Sequence, residues 1–106
     1  MGCTATLTQM VGIEALREEK KQLQRMVEEY ERRRDLCVGM ARSIESVTCD
    51  VLNGAFYLWM NVSSIGLASK NIAGRLLQEG LVAVLSGSDF GEKGEGYIRI
   101  SCESDV

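Results

Sequence analysis

Residues 14–35 carry seven acidic and seven basic side chains, so the stretch is dense in charge but neutral overall. Apolar or small residues run through and beyond it at Ile13, Leu16, Leu23, Val27, Tyr30, Cys37, Ala41 and Ile44, at separations built from three and four. That spacing predicts one long helix over 13–44. Glu28 with Arg32 and Glu29 with Arg33 stand i, i+4 in the favourable order. Arg32, Arg33 and Arg34 read as a solvated helix face. Such a helix would be about 48 Å long at 1.5 Å per residue. A compact domain of this size has a radius of gyration near ~13 Å. The N-terminal half of the helix therefore needs another surface, either a second copy of the chain or a larger domain outside these residues.

Residues 36–106 differ in kind, with eight acids, five bases and nine of the eleven glycines. Val47–Leu52 and Ala55–Val62 flank Asn53-Gly54, which predicts a hairpin closed by a type I′ turn. Ser63, Ser64 and Gly66 form a break. Ser69 is placed to cap a short helix with Ile72, Leu76 and Leu77 on one face, and Gly80 is placed to end it. Leu81–Leu85 reads as a short buried strand and Ser86–Gly96 as a glycine-rich loop. Tyr97–Cys102 alternates, with Ile98, Ile100 and Cys102 on one face and Tyr97, Arg99 and Ser101 on the other. The expected fold is α/β in two layers: a long N-terminal helix, then a β-hairpin, a helix and two further strands in a small mixed sheet. The expected division is 1–12 as a lead-in that is disordered or ends a larger domain, 13–44 as the long helix, and 45–106 as a small α/β domain.

Histidine and proline are both absent from the 106 residues. Without histidine there is no Ser-His-Asp or Cys-His catalysis and no imidazole metal ligand. Cys3, Cys37, Cys49 and Cys102 show no CxxC spacing and read as free thiols of a cytoplasmic chain. A net charge of −3 without a basic patch argues against nucleic acid. The longest apolar runs, Phe56–Met60 and Leu81–Leu85, fall far short of a membrane span.

Four stretches in order carry a family resemblance: Asn53-Gly-Ala-Phe-Tyr-Leu58, Leu76-Leu-Gln-Glu-Gly-Leu-Val-Ala-Val-Leu85, Gly87-Ser-Asp-Phe-Gly91 and Gly94-Glu-Gly-Tyr-Ile-Arg-Ile-Ser101. They resemble the C-terminal small domain of fold type I, class I/II pyridoxal-phosphate-dependent aminotransferases. Tyr30 with Arg32-Arg-Arg-Asp35 resembles that family's interdomain helix, and Thr4–Leu16 the end of its large domain. The resemblance implies that Arg99 grips the substrate α-carboxylate, a task suited to a guanidinium that is always charged and pairs bidentately. It also implies that Phe90 lies near the substrate entrance. Without the family, Arg99 would read as an edge-strand arginine in a surface ion pair, and Phe90 as a loop aromatic packed on its own domain.

The resemblance implies pyridoxal phosphate as the family cofactor, held by a lysine. Lys20, Lys21, Lys70 and Lys93 are the only lysines. Ser69-Lys70 followed by Gly74-Arg75 faintly resembles the cofactor-lysine signature, but the lysine-to-glycine spacing is too short. Gly91, Gly94 and Gly96 reverse the order of a phosphate loop, and Glu92 and Glu95 would repel an anion. The expectation is a small domain that supplies Arg99, binds no cofactor in this chain and does not transaminate alone. The family usually has proline where Glu45, Leu52, Met60 and Ser86 stand. Other readings are a helix-mediated interaction or scaffold protein, lipidated at Gly2 and Cys3 in Met1-Gly-Cys-Thr-Ala-Thr6, or an engineered proline-free chain. A coiled-coil pairing of the long helix is weakened by Lys20 and Arg34 in its heptad seam. Ser104-Asp105-Val106 resembles a PDZ ligand. Asn61-Val62-Ser63 is a sequon that matters only on secretion.

Overall fold

Tyr57–Asn61, from the apolar run after Asn53-Gly54, and Tyr97–Ser101, from the alternating stretch, form the central pair of the sheet. The computed structural model describes residues 2–18 and 20–103. In chain order the elements are α1 (Thr6–Arg17), α2 (Lys21–Arg42), β1 (Thr48–Cys49), β2 (Tyr57–Asn61), α3 (Ser69–Glu79), β3 (Leu85–Ser86) and β4 (Tyr97–Ser101), with short 3₁₀ turns at Ser63–Ile65, Gly87–Phe90 and Glu92–Gly94. The strand order is β1-β2-β4-β3. All three ladders are antiparallel, where a mixed sheet was expected.

One face of the sheet presents Leu58, Met60, Ile98 and Ile100 to the C-terminal half of α2 and to α3. Val38 and Ala41 of α2, Ile72 of α3, and Val47, Cys49, Val62 and Cys102 complete this core. Burying each large side chain contributes about 2 kcal/mol. The result is the expected two-layer helix–sheet arrangement. The opposite face carries Tyr57, Trp59, Asn61, Tyr97 and Arg99, all half-buried.

The helix expected over 13–44 is two helices, and the first begins at Thr6, inside the expected lead-in. Helical backbone stops at Arg17, and Glu18 is extended at φ −63°, ψ 154°. Glu14 with Glu18, and Arg17 with Lys21, are like charges at i, i+4, which weaken a helix across this point. No residue of α1 is buried, so no packing opposes the break. Leu7, Met10, Val11, Ile13, Leu16 and Leu23 are all exposed. The radius of gyration is 17.8 Å, above the ~13 Å of a compact domain. The N-terminal helices do outreach the domain.

The hairpin forms, but without a turn at Asn53-Gly54. Residues 50–56 make a wide loop, and the left-handed residue is Ala55 at φ 60°. The cause lies in α2. Arg42 Nε donates to Cys49 O at 3.1 Å, where β1 ends, and Arg34 Nη1 donates to Leu52 O at 3.0 Å, which holds the loop backbone away from a tight turn. Arg32 remains a solvated helix residue, while Arg33 and Arg34 do not. Their side chains are 21% and 15% exposed, and Arg33 Nη1 donates to Glu103 O at 2.9 Å.

Ser69 is the first residue of α3 and not its cap, which is Ala68. The helix ends before Gly80 as expected, but the left-handed residue is Leu81 at φ 55°. Leu76 O accepts from both Gly80 and Val82. Ile72 is buried and Leu76 packs on the core, but Leu77 is exposed. The buried strand expected at Leu81–Leu85 is another correction. Only Leu85–Ser86 pairs, and Leu81 is 85% exposed. Met1 of the N-terminal lipidation pattern and the Ser104-Asp105-Val106 motif lie outside the described residues. Among those described, no helix is long and apolar enough to cross a membrane.

Candidate carboxylate site

Arg99 sits mid-strand in β4, directly across from Trp59 of β2 on one side and Leu85 of β3 on the other. It is therefore not on an edge strand. Period-two geometry turns it away from Ile98 and the core, onto the face that no helix covers. Its guanidinium carbon lies 4.2 Å from the centre of the Tyr57 ring and 4.6 Å from that of Phe90. Cation–π contacts of this kind favour the cation without neutralising it. Among the described residues no carboxylate pairs with Arg99. A surface ion pair is thus not what holds it. The rings fix the guanidinium plane while its N–H edge keeps its donors available to a ligand.

The walls of the site are aromatic. Trp59 stacks on Tyr97 with ring centres 5.4 Å apart at 15°, and Phe90 meets Trp59 edge-on at 5.7 Å. Phe90 is 52% exposed and still touches both Trp59 and Arg99, so it is at once a packed loop aromatic and a wall of the arginine site. Sequence reading singled out Arg99 and Phe90 but missed Tyr57, Trp59 and Tyr97. The available signal was aromatic residues at alternate positions of the strand that pairs with Arg99's own.

The Ser69-Lys70 pair opens α3. Lys70 projects from the first turn of α3 with its side chain 71% exposed, and its Nζ is 3.7 Å from Asp89. The amides at the start of α3 could have cradled a phosphate, but that end is already taken. Glu95 Oε1 accepts from Ser69 N at 2.8 Å, and Glu95 Oε2 accepts from Ser69 Oγ at 2.8 Å. These bonds hold the Glu95 carboxyl below its ordinary range. A carboxylate in this position excludes a second anion. The first turn of α3 therefore offers no open cradle to a phosphate.

Three of the four cysteines belong to the core. Cys49 and Cys102 are buried and Cys37 packs against them, while Cys3 is exposed; all four are free thiols. Burial, helped by Cys37, pushes the Cys102 thiol up to about 12.

The sequence profile described as aminotransferase class I and II matches residues 1–106. An aspartate aminotransferase of Pyrococcus horikoshii is 38% identical over 103 residues, which cover 95% of this chain and 26% of that protein. A crystal structure of Pyrococcus protein A1 superposes with a TM-score of 0.92 at 36% identity, covering 97% of this chain and 27% of the other. A PLP-bound putative aminotransferase from Clostridium difficile 630 superposes at 0.73 with 27% identity, covering 78% and 22%. The chain thus spans about a quarter of the length of the relatives it matches.

Proposed function

The chain belongs to the class I and II aminotransferase family, and from that premise we propose that it is the substrate-carboxylate element of such an enzyme, with Arg99 gripping the α-carboxylate. In this reading the cofactor lysine lies outside these residues, and the chain does not transaminate alone. The observation that carries the reading is the Arg99 guanidinium, paired with no carboxylate among the described residues and set against Tyr57 and Phe90 on an open sheet face. A positively charged group oriented by rings, with no counter-ion among the described residues, is poised for an anion, and a carboxylate matches its fork. The surroundings of Lys70 support the second half of the proposal. The uncovered apolar residues of α1 and early α2 support a partner there, either a larger domain or a second copy of the chain.

Trp59 is the only tryptophan and faces Arg99 across the ladder, so its fluorescence reports on the site. Titration with L-alanine and with pyruvate should give a saturable change. The expected Kd is on the order of 10 mM, since one charge-assisted pair contributes about 3 kcal/mol. Lactamide, which lacks the carboxylate, should give no change, and Arg99→Gln should abolish the response. An equal response in Arg99→Gln would refute the role of Arg99. Added pyridoxal phosphate should give no saturable absorbance band beyond that of a lysine-matched control. A stoichiometric band lost in a Lys70→Ala variant would overturn the second half.

A further inference from the structure

Three serine hydroxyls form a chain that ends on Glu95. Ser69 Oγ lies 2.8 Å from Glu95 Oε2 and 2.6 Å from Ser86 Oγ, and Ser86 Oγ lies 2.7 Å from Ser88 Oγ. Ser69 is completely buried and Ser86 is 3% exposed. A hydroxyl has one proton to give, and an ionised carboxylate only accepts. Ser69 therefore gives its proton to Glu95, Ser86 gives its proton to Ser69, and Ser88 gives its proton to Ser86. The direction of every bond is fixed by the carboxylate at the end. No buried side-chain polar atom among the described residues is left without a partner.

This chain of bonds lies on the opposite side of the sheet from Arg99. Ser86 pairs with Ile98 and faces the helices, whereas Leu85 pairs with Arg99 and faces away. The turn Gly87–Phe90 carries the backbone from one side to the other and ends in the ring that touches Arg99. Gly87 fits so closely that an added Cβ would overlap the carbonyl oxygen of Gly94, so the turn packs backbone to backbone against residues 94–97. Its start is thus held by the Ser86–Ser88 bond, and its end delivers Phe90.

We infer that Ser86 and Ser88 are positioning residues for Arg99: the hydroxyl chain anchored on Glu95 holds the 87–90 turn so that Phe90 lies against the guanidinium. For its purpose the inference rests on the carboxylate reading of Arg99, but its geometry is independent of that reading. The side-chain Nε–H signal of Arg99 in ¹⁵N NMR tests it without any ligand, because the rings beside the guanidinium displace that resonance. Phe90→Leu sets the size of the displacement that Phe90 causes. Ser86→Ala should move the resonance in the same direction by at least half as much, with the backbone spectrum of β2 and β4 retained. Ser88→Ala, at the half-buried end of the chain, should do the same and carries the test if Ser86→Ala unfolds. Ser88→Thr, which keeps the hydroxyl, should restore the native position. An Arg99 signal that moves in Phe90→Leu but stays in place in Ser88→Ala overturns the inference, as does failure of Ser88→Thr to restore it. Loss of the carboxylate titration with these shifts intact would refute the function of Arg99 and leave the positioning in place.

Discussion

Replacing Gly87 with alanine would drive a Cβ into backbone on two sides. The new atom would overlap Gly94 O and stand 2.6 Å from Tyr97 O and 2.9 Å from Tyr97 Cβ. Ordinary contact begins at 3.4 Å, so the Tyr97 carbonyl alone would have to retreat by about 0.8 Å, and neither carbonyl is a flexible side-chain end. Overpacking of this kind costs about 1–3 kcal/mol, and two backbone clashes place it near the top of that range. The lost unfolded-state entropy returns less than ~1 kcal/mol, leaving a net destabilisation of about 2–3 kcal/mol. For a cooperative unit of this size that lowers Tm by roughly 10–20 °C. Thermal unfolding followed by far-ultraviolet circular dichroism and Trp59 fluorescence measures it. Gly74→Ala is the control: it is interior to α3 with nothing within 4 Å of the new Cβ, so it should gain about 0.5–1 kcal/mol. The overlap is mutual, since a Cβ on Gly94 would meet Gly87 O. The Gly87→Ala, Gly94→Ala double variant should therefore cost at least ~1 kcal/mol less than the sum of the singles. A Gly87→Ala protein within ~0.5 kcal/mol of native, or strict additivity of the pair, would refute the close approach.

Three other measurements bear on the fold. The carboxyls of Glu29, Glu79 and Glu95 are held below 4.5: Glu29, at about 2, by hydrogen bonds from Arg32 and then Arg33, Glu79 by Arg75, and Glu95 by Ser69. Because their folded values are depressed, their contribution to stability is complete above pH 4.5 and is lost as pH falls toward 2; Tm should drop across that window, and less steeply in Glu95→Gln. At pH 8, iodoacetamide should label Cys3 first and leave Cys102 among the last, because the Cys102 thiol is pushed up to about 12; equal rates would show that the core opens. Amide protons of α1 should exchange with little protection, since the helix buries nothing; strong protection over Leu7–Leu16 would reveal a second copy packed on it.

The parts legible in the sequence were those governed by local pattern. An apolar run beside Asn53-Gly54 placed β2, and alternation placed β4 and turned Arg99 away from Ile98, because a strand's side-chain period is fixed by its backbone. What could not be read was decided by distant partners. Asn53-Gly54 carries a hairpin signal, yet Arg34, 18 residues before Leu52, and Arg42, 7 before Cys49, hold those carbonyls from α2. Ser69 has a capping side chain, but Glu95, 26 residues downstream, takes that end of α3. The apolar run at 81–85 signals burial without saying against what, and no described segment covers Leu81. Where family proline was expected at Ser86, the backbone nevertheless holds φ −66°, the angle proline's ring would impose. The aromatic surroundings of Arg99 depend on the register of β2 against β4, which no local window contains.

The central ladder joins β2 to β4, whose nearest paired residues, Asn61 and Tyr97, are separated by the whole of α3 and its flanking turns. On a ribosome adding 5–20 residues per second, roughly 2–7 s pass between making one strand and its principal partner. During that interval Leu58 and Met60 have α2 against their face but only the two-residue β1 beside them in the sheet, and α3 waits about 1–5 s for the carboxylate that closes its first turn. Nascent chains of this fold therefore spend seconds with an open strand edge, a period in which a chaperone or a premature neighbour has more to bind than the finished protein offers.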